Sequence, residues 1–234
     1  IHRDERVDEI VKHGYDHHIN PEYIEISFGN ECQFKCGYCH PKASSSYWKE
    51  IEKFGPYDMV ENHRLDIDWI KLFKREEENP YVDAWWEWWP EVRKTLSILR
   101  ITGGEPLLQQ STWKLFENIS KYPLPDLEIN TNSNLGMTNY VKEFEDENKI
   151  KRFKLFASLD TWGSRAEYIR TGLDLKVWEE NFHTYLTETN ANITFMMTFN
   201  ILTVTTFKSL LKKILEWREQ HPDVTNGAGQ LHRV

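Results

Sequence analysis

The sequence predicts an α/β fold: an open, partial TIM-type barrel of parallel strands, of the (β/α)6 kind, with a Trp-rich helical insertion between its first and second strands. Three observations predict it. Strand-like and helix-like segments alternate along the chain, which implies parallel pairing with right-handed crossovers. Five such units are visible, too few for a closed eight-stranded barrel. Polar residues gather where the strands end, namely Ser27, Asn30, Thr102, Asn132, Ser158, Asp160 and Asn200, and active sites of parallel α/β folds lie at those carboxyl ends.

Each element has its own signal. Tyr23 to Phe28 alternates apolar with polar residues and runs into Gly29, as a strand entering a loop does. Leu65 to Glu77 carries Ile67, Ile70 and Phe73 at helical spacing, with Asp66 as an N-cap. Leu96 to Thr102 reads as the second strand, closed by Gly103-Gly104, and Ser111 to Lys121 as the helix after it. Asp126 to Thr131 and Phe153 to Leu159 read as the third and fourth strands, followed by helices over Thr138 to Glu147 and Lys176 to Leu186. Asn192 to Ile201 reads as a fifth strand and Phe207 to Glu219 as a fifth helix. Six of the ten tryptophans, Trp48, Trp69, Trp85, Trp86, Trp88 and Trp89, fall between Cys39 and Gly103. We expect an inserted segment over about residues 40–95 whose indoles pack against the barrel; the alternative is a substrate or partner surface.

Composition narrows the function. The 234 residues suit one large domain spanning 1–234. Formal charge is 29 − 37 = −8 and no Lys/Arg-rich block stands out, which argues against nucleic acid as a partner. No apolar run approaches the roughly 20 residues of a membrane span, and the segment from Ile1 lacks the apolar stretch of a signal peptide, so a cytoplasmic protein with no membrane partner is expected. The chain does not begin with Met, which leaves room for a natural N-terminus upstream. His17-His18 has no accompanying carboxylate pattern and reads as surface.

All three cysteines lie within Cys32-Gln-Phe-Lys-Cys36-Gly-Tyr-Cys39, on the loop after the first strand. An odd number packed so closely is no disulfide scaffold and fits a redox-sensitive site in a reducing compartment. A structural zinc would want four ligands, and His40, adjacent to Cys39, is poorly placed to bite the same tetrahedral ion. A 4Fe–4S cube held by three thiolates leaves one iron open for a cofactor or substrate. The cluster is the favoured reading; zinc and unliganded thiols are the alternatives.

This cysteine pattern, with an aromatic before the last Cys, resembles the signature of the radical S-adenosylmethionine (SAM) superfamily. Three further segments at strand ends carry the resemblance. Ile101-Thr-Gly-Gly-Glu-Pro-Leu107 looks like the family's glycine-glycine-glutamate motif, and Glu128-Ile-Asn-Thr-Asn-Ser133 like its third-strand segment. Ala157-Ser-Leu-Asp160, followed by Tyr168-Ile-Arg170 and Gly172, is similar to the fourth strand and helix of the subgroup with SPASM or twitch domains. The resemblance spans roughly Ile24 to Asn200.

The resemblance implies a [4Fe-4S] cluster on Cys32, Cys36 and Cys39, and SAM bound through its amino group at Gly103-Gly104-Glu105. It further implies that Ser158 and Arg170 hold SAM's carboxylate or ribose, that the backbone at Tyr38 lies against adenine, and that Asn132 and Asn200 touch ribose or adenine. Each has a plainer reading: Gly103-Gly104 as a strand-ending turn, Ser158 and Asn132 as turn formers, Arg170 as a solvated helix residue. Implied too are reduction by a flavodoxin- or ferredoxin-type donor and a 5′-deoxyadenosyl radical that takes hydrogen from a substrate, a peptide or protein side chain among relatives. Rival readings are an activase that installs a glycyl radical on a partner protein and a non-catalytic iron–sulfur or zinc-binding interaction module. The ending at Val234 reads as a loop cut short. The resemblance to SPASM and twitch proteins implies an auxiliary Fe–S domain, so either the natural protein continues past Val234 or this member has dispensed with that domain. We expect the former, because an open sheet missing its sixth strand exposes an edge that is normally covered.

Overall fold

The computed structural model describes residues 5–14, 19–57, 79–137, 141, 144 and 148–222. The expected helix over Leu65 to Glu77, His17-His18, Trp69 and the final segment from Asp223 lie outside these residues. So does most of the helix expected over Thr138 to Glu147, where Val141 and Phe144 alone are described and both are buried.

A short helix α1 (Glu5–His13) precedes strand β1 (Tyr23–Ser27). A two-residue strand β2 (Lys35–Cys36) and helix α2 (Ser45–Phe54) follow. Helix α3 (Pro80–Val92) leads into β3 (Ile98–Thr102), α4 (Gln110–Lys121), β4 (Leu124–Ser133) and β5 (Ile150–Ser158). The chain then runs through α5 (Ser164–Ile169), β6 (Arg170–Thr171), α6 (Leu175–Glu188), β7 (Asn192–Met196) and α7 (Phe207–Gln220). The main sheet has the order β1-β3-β4-β5-β7, with every pairing parallel. Each crossover therefore adds its strand next to the preceding one, as a partial barrel requires. β2 and β6 form a separate antiparallel pair, Cys36 opposite Arg170.

The two faces of the sheet differ as alternating side chains dictate. One face presents Leu99, Ile101, Ile129, Phe153, Leu155, Ile193 and Phe195, all buried, to the helices. Phe116 of α4 meets Phe153 edge-on at 6.0 Å, while Phe182 of α6 and Trp217 of α7 reach Phe195 at 5.6 and 6.0 Å. The other face is polar. In one register row Glu25, Arg100, Asn130, Lys154 and Asn192 stand side by side across all five strands.

Two differences from the sequence reading have local causes. The fifth strand stops at Met196 instead of running to Ile201. Its partner β5 ends at Ser158, and beyond that point side chains capture the backbone: Thr198 N–H donates to Asp160 Oδ1 and Asn200 N–H to Thr203 Oγ1. Within the Trp-rich segment, α3 starts as its sequence directs, with Asn79 capping Tyr81 N–H and Pro80 in the first turn. Trp85, Trp89 and Val92 then fall at i, i+4 and i+7 and join the core that holds Leu99 and Ile101. Trp85 meets Phe28 edge-on at 6.1 Å, and Trp89 Nε1–H donates to Asn118 on α4. Trp85 and Trp89 are packing residues, whereas Trp88 is exposed.

Candidate cofactor site

A half-open cleft of about 710 Å3, its solvent-filled mouth included, lies at the carboxyl ends of the parallel strands. Cys32, Cys36 and Cys39 line it, together with Tyr38, Gly103, Gly104, Glu105, Asn132, Ser158 and Arg170. Ten of the eleven site residues expected from sequence thus share one cleft. Asn200 does not line it; its amide group bonds to Thr198 O and Leu202 N–H and shapes the loop after β7. Phe34 of the cysteine segment and Ser133 of the third-strand segment complete the wall with Ala43, Asn134, Met196 and Thr198, which no sequence motif singles out.

The cysteine loop is held at several points. Ser44 is fully buried, donates to Phe34 O and caps α2 through Tyr47 N–H, while Ser46 donates to Cys32 O. β2 pins Cys36 to Arg170. Burial pushes the Cys32 thiol up to about 12 and the Cys36 thiol to about 11; the neighbouring sulfurs of Cys36 and Cys39 add to the rise at Cys32, and that of Cys39 to the rise at Cys36. Among the described residues no three His, Cys, Asp or Glu side chains close on a single metal ion. Two buried thiols and a half-buried third around one cleft suit a multi-iron group, whose positive irons would add counter-charge to that of Arg170. Two sulfurs already have a nitrogen donor, Asn134 Nδ2 at 3.8 Å from Cys32 Sγ and Arg170 Nη1 at 3.9 Å from Cys36 Sγ.

The Gly103-Gly104-Glu105 turn passes tightly over the loop that follows β1. Gly103 has φ +117°, and a Cβ there would lie 2.5 Å from Ser27 Oγ; a Cβ on Gly104 would collide with Glu31 O. These glycines therefore serve the protein's own packing as well as exposing backbone to the cleft. Glu105 is buried, and its carboxylate accepts from Asn134 N–H at 2.6 Å and Leu107 N–H at 3.3 Å. Burial raises its pKa to about 7 despite these bonds and the Arg170 charge.

Arg170 is not a solvated helix residue. Its Nε and Nη2 donate to the two oxygens of Asp160 at 2.8 and 2.9 Å, a bidentate pair with both side chains buried. Burial works against its charge, but Asp160 outweighs that and holds the guanidinium protonated. Asp160 also accepts from Tyr38 Oη at 2.8 Å and Thr198 N–H at 2.8 Å, which fills its acceptor capacity. Sequence marks Asp160 as a polar strand-end residue within the Ala157-Ser-Leu-Asp160 segment, and assigns it no role.

No family model matches the chain. It is 31% identical to a GTP 3′,8-cyclase of Campylobacter jejuni subsp. doylei over 148 residues, 63% of this chain and 37% of that protein. It is 28% identical to the GTP 3′,8-cyclase of Peptoclostridium acidaminophilum over 169 residues, 71% of this chain and 42% of that one. The fold matches Streptococcus suis SuiB in its S-adenosylmethionine-bound crystal structure, with a TM-score of 0.55 at 14% identity, covering 91% of this chain and 41% of SuiB. The chain is similar in sequence and fold to radical SAM proteins. It spans about two-fifths of the length of these relatives. The cleft gathers residues of the cysteine loop and of the three strand-end segments. Among the described residues no helix is long and apolar enough to cross a membrane.

Proposed function

We propose that this chain is the SAM-cleaving core of a radical SAM enzyme. The observation that carries the reading is the convergence of three clustered thiols, the Gly103-Gly104-Glu105 turn, Ser158 and Arg170 on one cleft. Cys32, Cys36 and Cys39 would hold a [4Fe-4S] cluster. When bound and reduced by a flavodoxin- or ferredoxin-type donor, the cluster would supply the electron that cleaves SAM to a 5′-deoxyadenosyl radical, which takes hydrogen from substrate.

The protein's own part is to bind and orient. The Glu105 carboxylate complements the methionine ammonium, and Gly104 lets the backbone come close. The Ser158 hydroxyl and the one edge of Arg170 that Asp160 leaves open serve SAM's carboxylate or ribose. Asn132, whose Oδ1 is held by Arg100 Nη2 at 3.4 Å, serves the ribose side, and the Tyr38 backbone the adenine. Phe34 and Met196 supply apolar wall that keeps water from the reacting centre.

The polar sheet face runs directly up to this cleft through Asn132 and Ser158 and offers the substrate surface. Arg100 lies over the Phe156 ring at 5.2 Å, its Nε making no hydrogen bond but facing Glu25 Oε2 at 3.7 Å, and Lys154 lies 6.0 Å from the same ring. Glu25 and Glu128 flank them. A charged or polar side chain of a peptide fits such a face, and SuiB has been solved bound to its precursor peptide SuiA. A second reading, a purine nucleotide, is favoured by the names of the curated relatives and by the cationic pair Arg100 and Lys154. Either reaction fits a reducing, cytoplasmic setting.

The test is anaerobic reconstitution with iron and sulfide, reduction, and chromatography for 5′-deoxyadenosine. About four irons per chain and 5′-deoxyadenosine formation are expected, both lost in Cys36→Ala. Full SAM cleavage by Cys36→Ala would defeat the reading. Stimulation by GTP, and not by peptide, would select the second substrate.

A further inference from the structure

The buried pair Asp160–Arg170 sits beside a thiol as well as at the SAM cleft. Asp160 follows β5, Arg170 opens β6, and Cys36 closes β2, so three separate segments meet here. The fork geometry is decisive. Nε and Nη2 of Arg170 are both consumed by Asp160, which turns the remaining nitrogen, Nη1, toward Cys36 Sγ at 3.9 Å. The antiparallel register of Cys36 with Arg170 fixes the two backbones, and the guanidinium lies 5.6 Å over the Tyr38 ring. Tyr38 Oη in turn donates to Asp160 at 2.8 Å, so the carboxylate grips the cysteine loop and the arginine together. Four donors on two carboxylate oxygens leave Asp160 little freedom to move.

We propose that Arg170 is an outer-sphere donor to the Cys36 sulfur that raises the reduction potential of the cluster, and that Asp160 is the positioning residue that aims it. The inference rests on the cluster reading above and concerns the cluster before SAM binds. A cation and an N–H aimed at a ligating sulfur stabilise the reduced, more negative state, and such donors are one of the means by which a protein sets these potentials. Asn134 Nδ2 at 3.8 Å from Cys32 Sγ is a neutral counterpart, whereas Arg170 brings a full charge to Cys36 Sγ.

The experiment uses SAM-free, anaerobically reconstituted protein and two readouts. Redox titration followed by EPR should show a more negative midpoint in Arg170→Gln, and a smaller shift in Arg170→Lys, which keeps the charge. Pulsed EPR of the reduced wild-type protein grown with 15N-arginine should show a guanidinium nitrogen coupled to the cluster. That coupling should vanish in Arg170→Lys and weaken in Asp160→Asn. An unchanged midpoint in Arg170→Gln overturns the donor role, and an unchanged coupling in Asp160→Asn overturns the positioning role. If the variants fail to load iron, the wild-type coupling decides alone: its presence supports the donor, and its absence overturns it. Wild-type protein that binds no cluster would instead defeat the functional reading itself.

Discussion

The stability of the metal-free protein should fall as pH rises through neutrality, because of one carboxyl group. Glu105 is fully buried, and its pKa rises from 4.5 to about 7, chiefly through burial. The folded state thus holds this proton more tightly than the unfolded chain does. The stabilisation is fully present below the unfolded value and is lost as pH rises through the folded one. At about 1.4 kcal/mol per unit, the shift corresponds to about 3 kcal/mol lost between roughly pH 5 and 8. Burial also lowers the pKa of His183, with the opposite sign, and the lowered Glu50, Glu128 and Glu179 act only at more acid pH. Comparing the wild type with Glu105→Gln removes those contributions, since they are common to both. Urea unfolding at pH 5, 6, 7 and 8 should give a difference between the two proteins that changes by about 3 kcal/mol across the range. Parallel curves would refute the argument. The same proton has a functional consequence. An ammonium group placed beside Glu105 draws its pKa down, so SAM binding to the cluster-loaded protein near pH 7 should release a proton. Calorimetry in buffers of different ionisation enthalpy would detect it.

Three further outcomes follow from the same geometry. Ser158→Ala should leave iron content intact and weaken SAM by roughly 10- to 150-fold, the worth of one hydrogen bond to a charged group, measured by calorimetry. Gly104→Ala forces a methyl group into Glu31 O and should destabilise the apo protein by more than ~1 kcal/mol, read from its melting temperature. Asp160→Asn strips a buried guanidinium of its counter-charge and should cost about 3–5 kcal/mol in denaturant unfolding, far more than Tyr38→Phe, which removes one hydrogen bond worth about 1 kcal/mol.

Much of the site is legible in the amino-acid sequence, because it is written in short-range patterns. Cys32, Cys36 and Cys39 occupy one loop, and Gly103-Gly104-Glu105 closes one strand. The strands themselves show in alternation, although local capping by Asp160 and Thr203 ends the fifth at Met196, where alternation alone carries it to Ile201. Helix α3 is hidden by its own composition. A run of four tryptophans around Asp83 to Pro90 reads as an insertion packed against the barrel, and only the structure shows which of them, at i and i+4 with Val92 at i+7, enter the core.

The sequence by itself determined the β/α rhythm, the thiol triad and the strand ends where a site must lie, since each is a property of neighbouring residues and their spacing. Only the tertiary structure decided which polar groups meet. Tyr38 and Asp160 are 122 residues apart, and Cys36 and Arg170 are 134 apart. Nothing in their local spacing pairs them; parallel crossovers bring the strand ends together, and the β2–β6 bridge draws the cysteine loop down onto Arg170. Low dielectric then makes the pairing obligatory, because a buried guanidinium must have its carboxylate, and that carboxylate fixes which nitrogen is left to face Cys36.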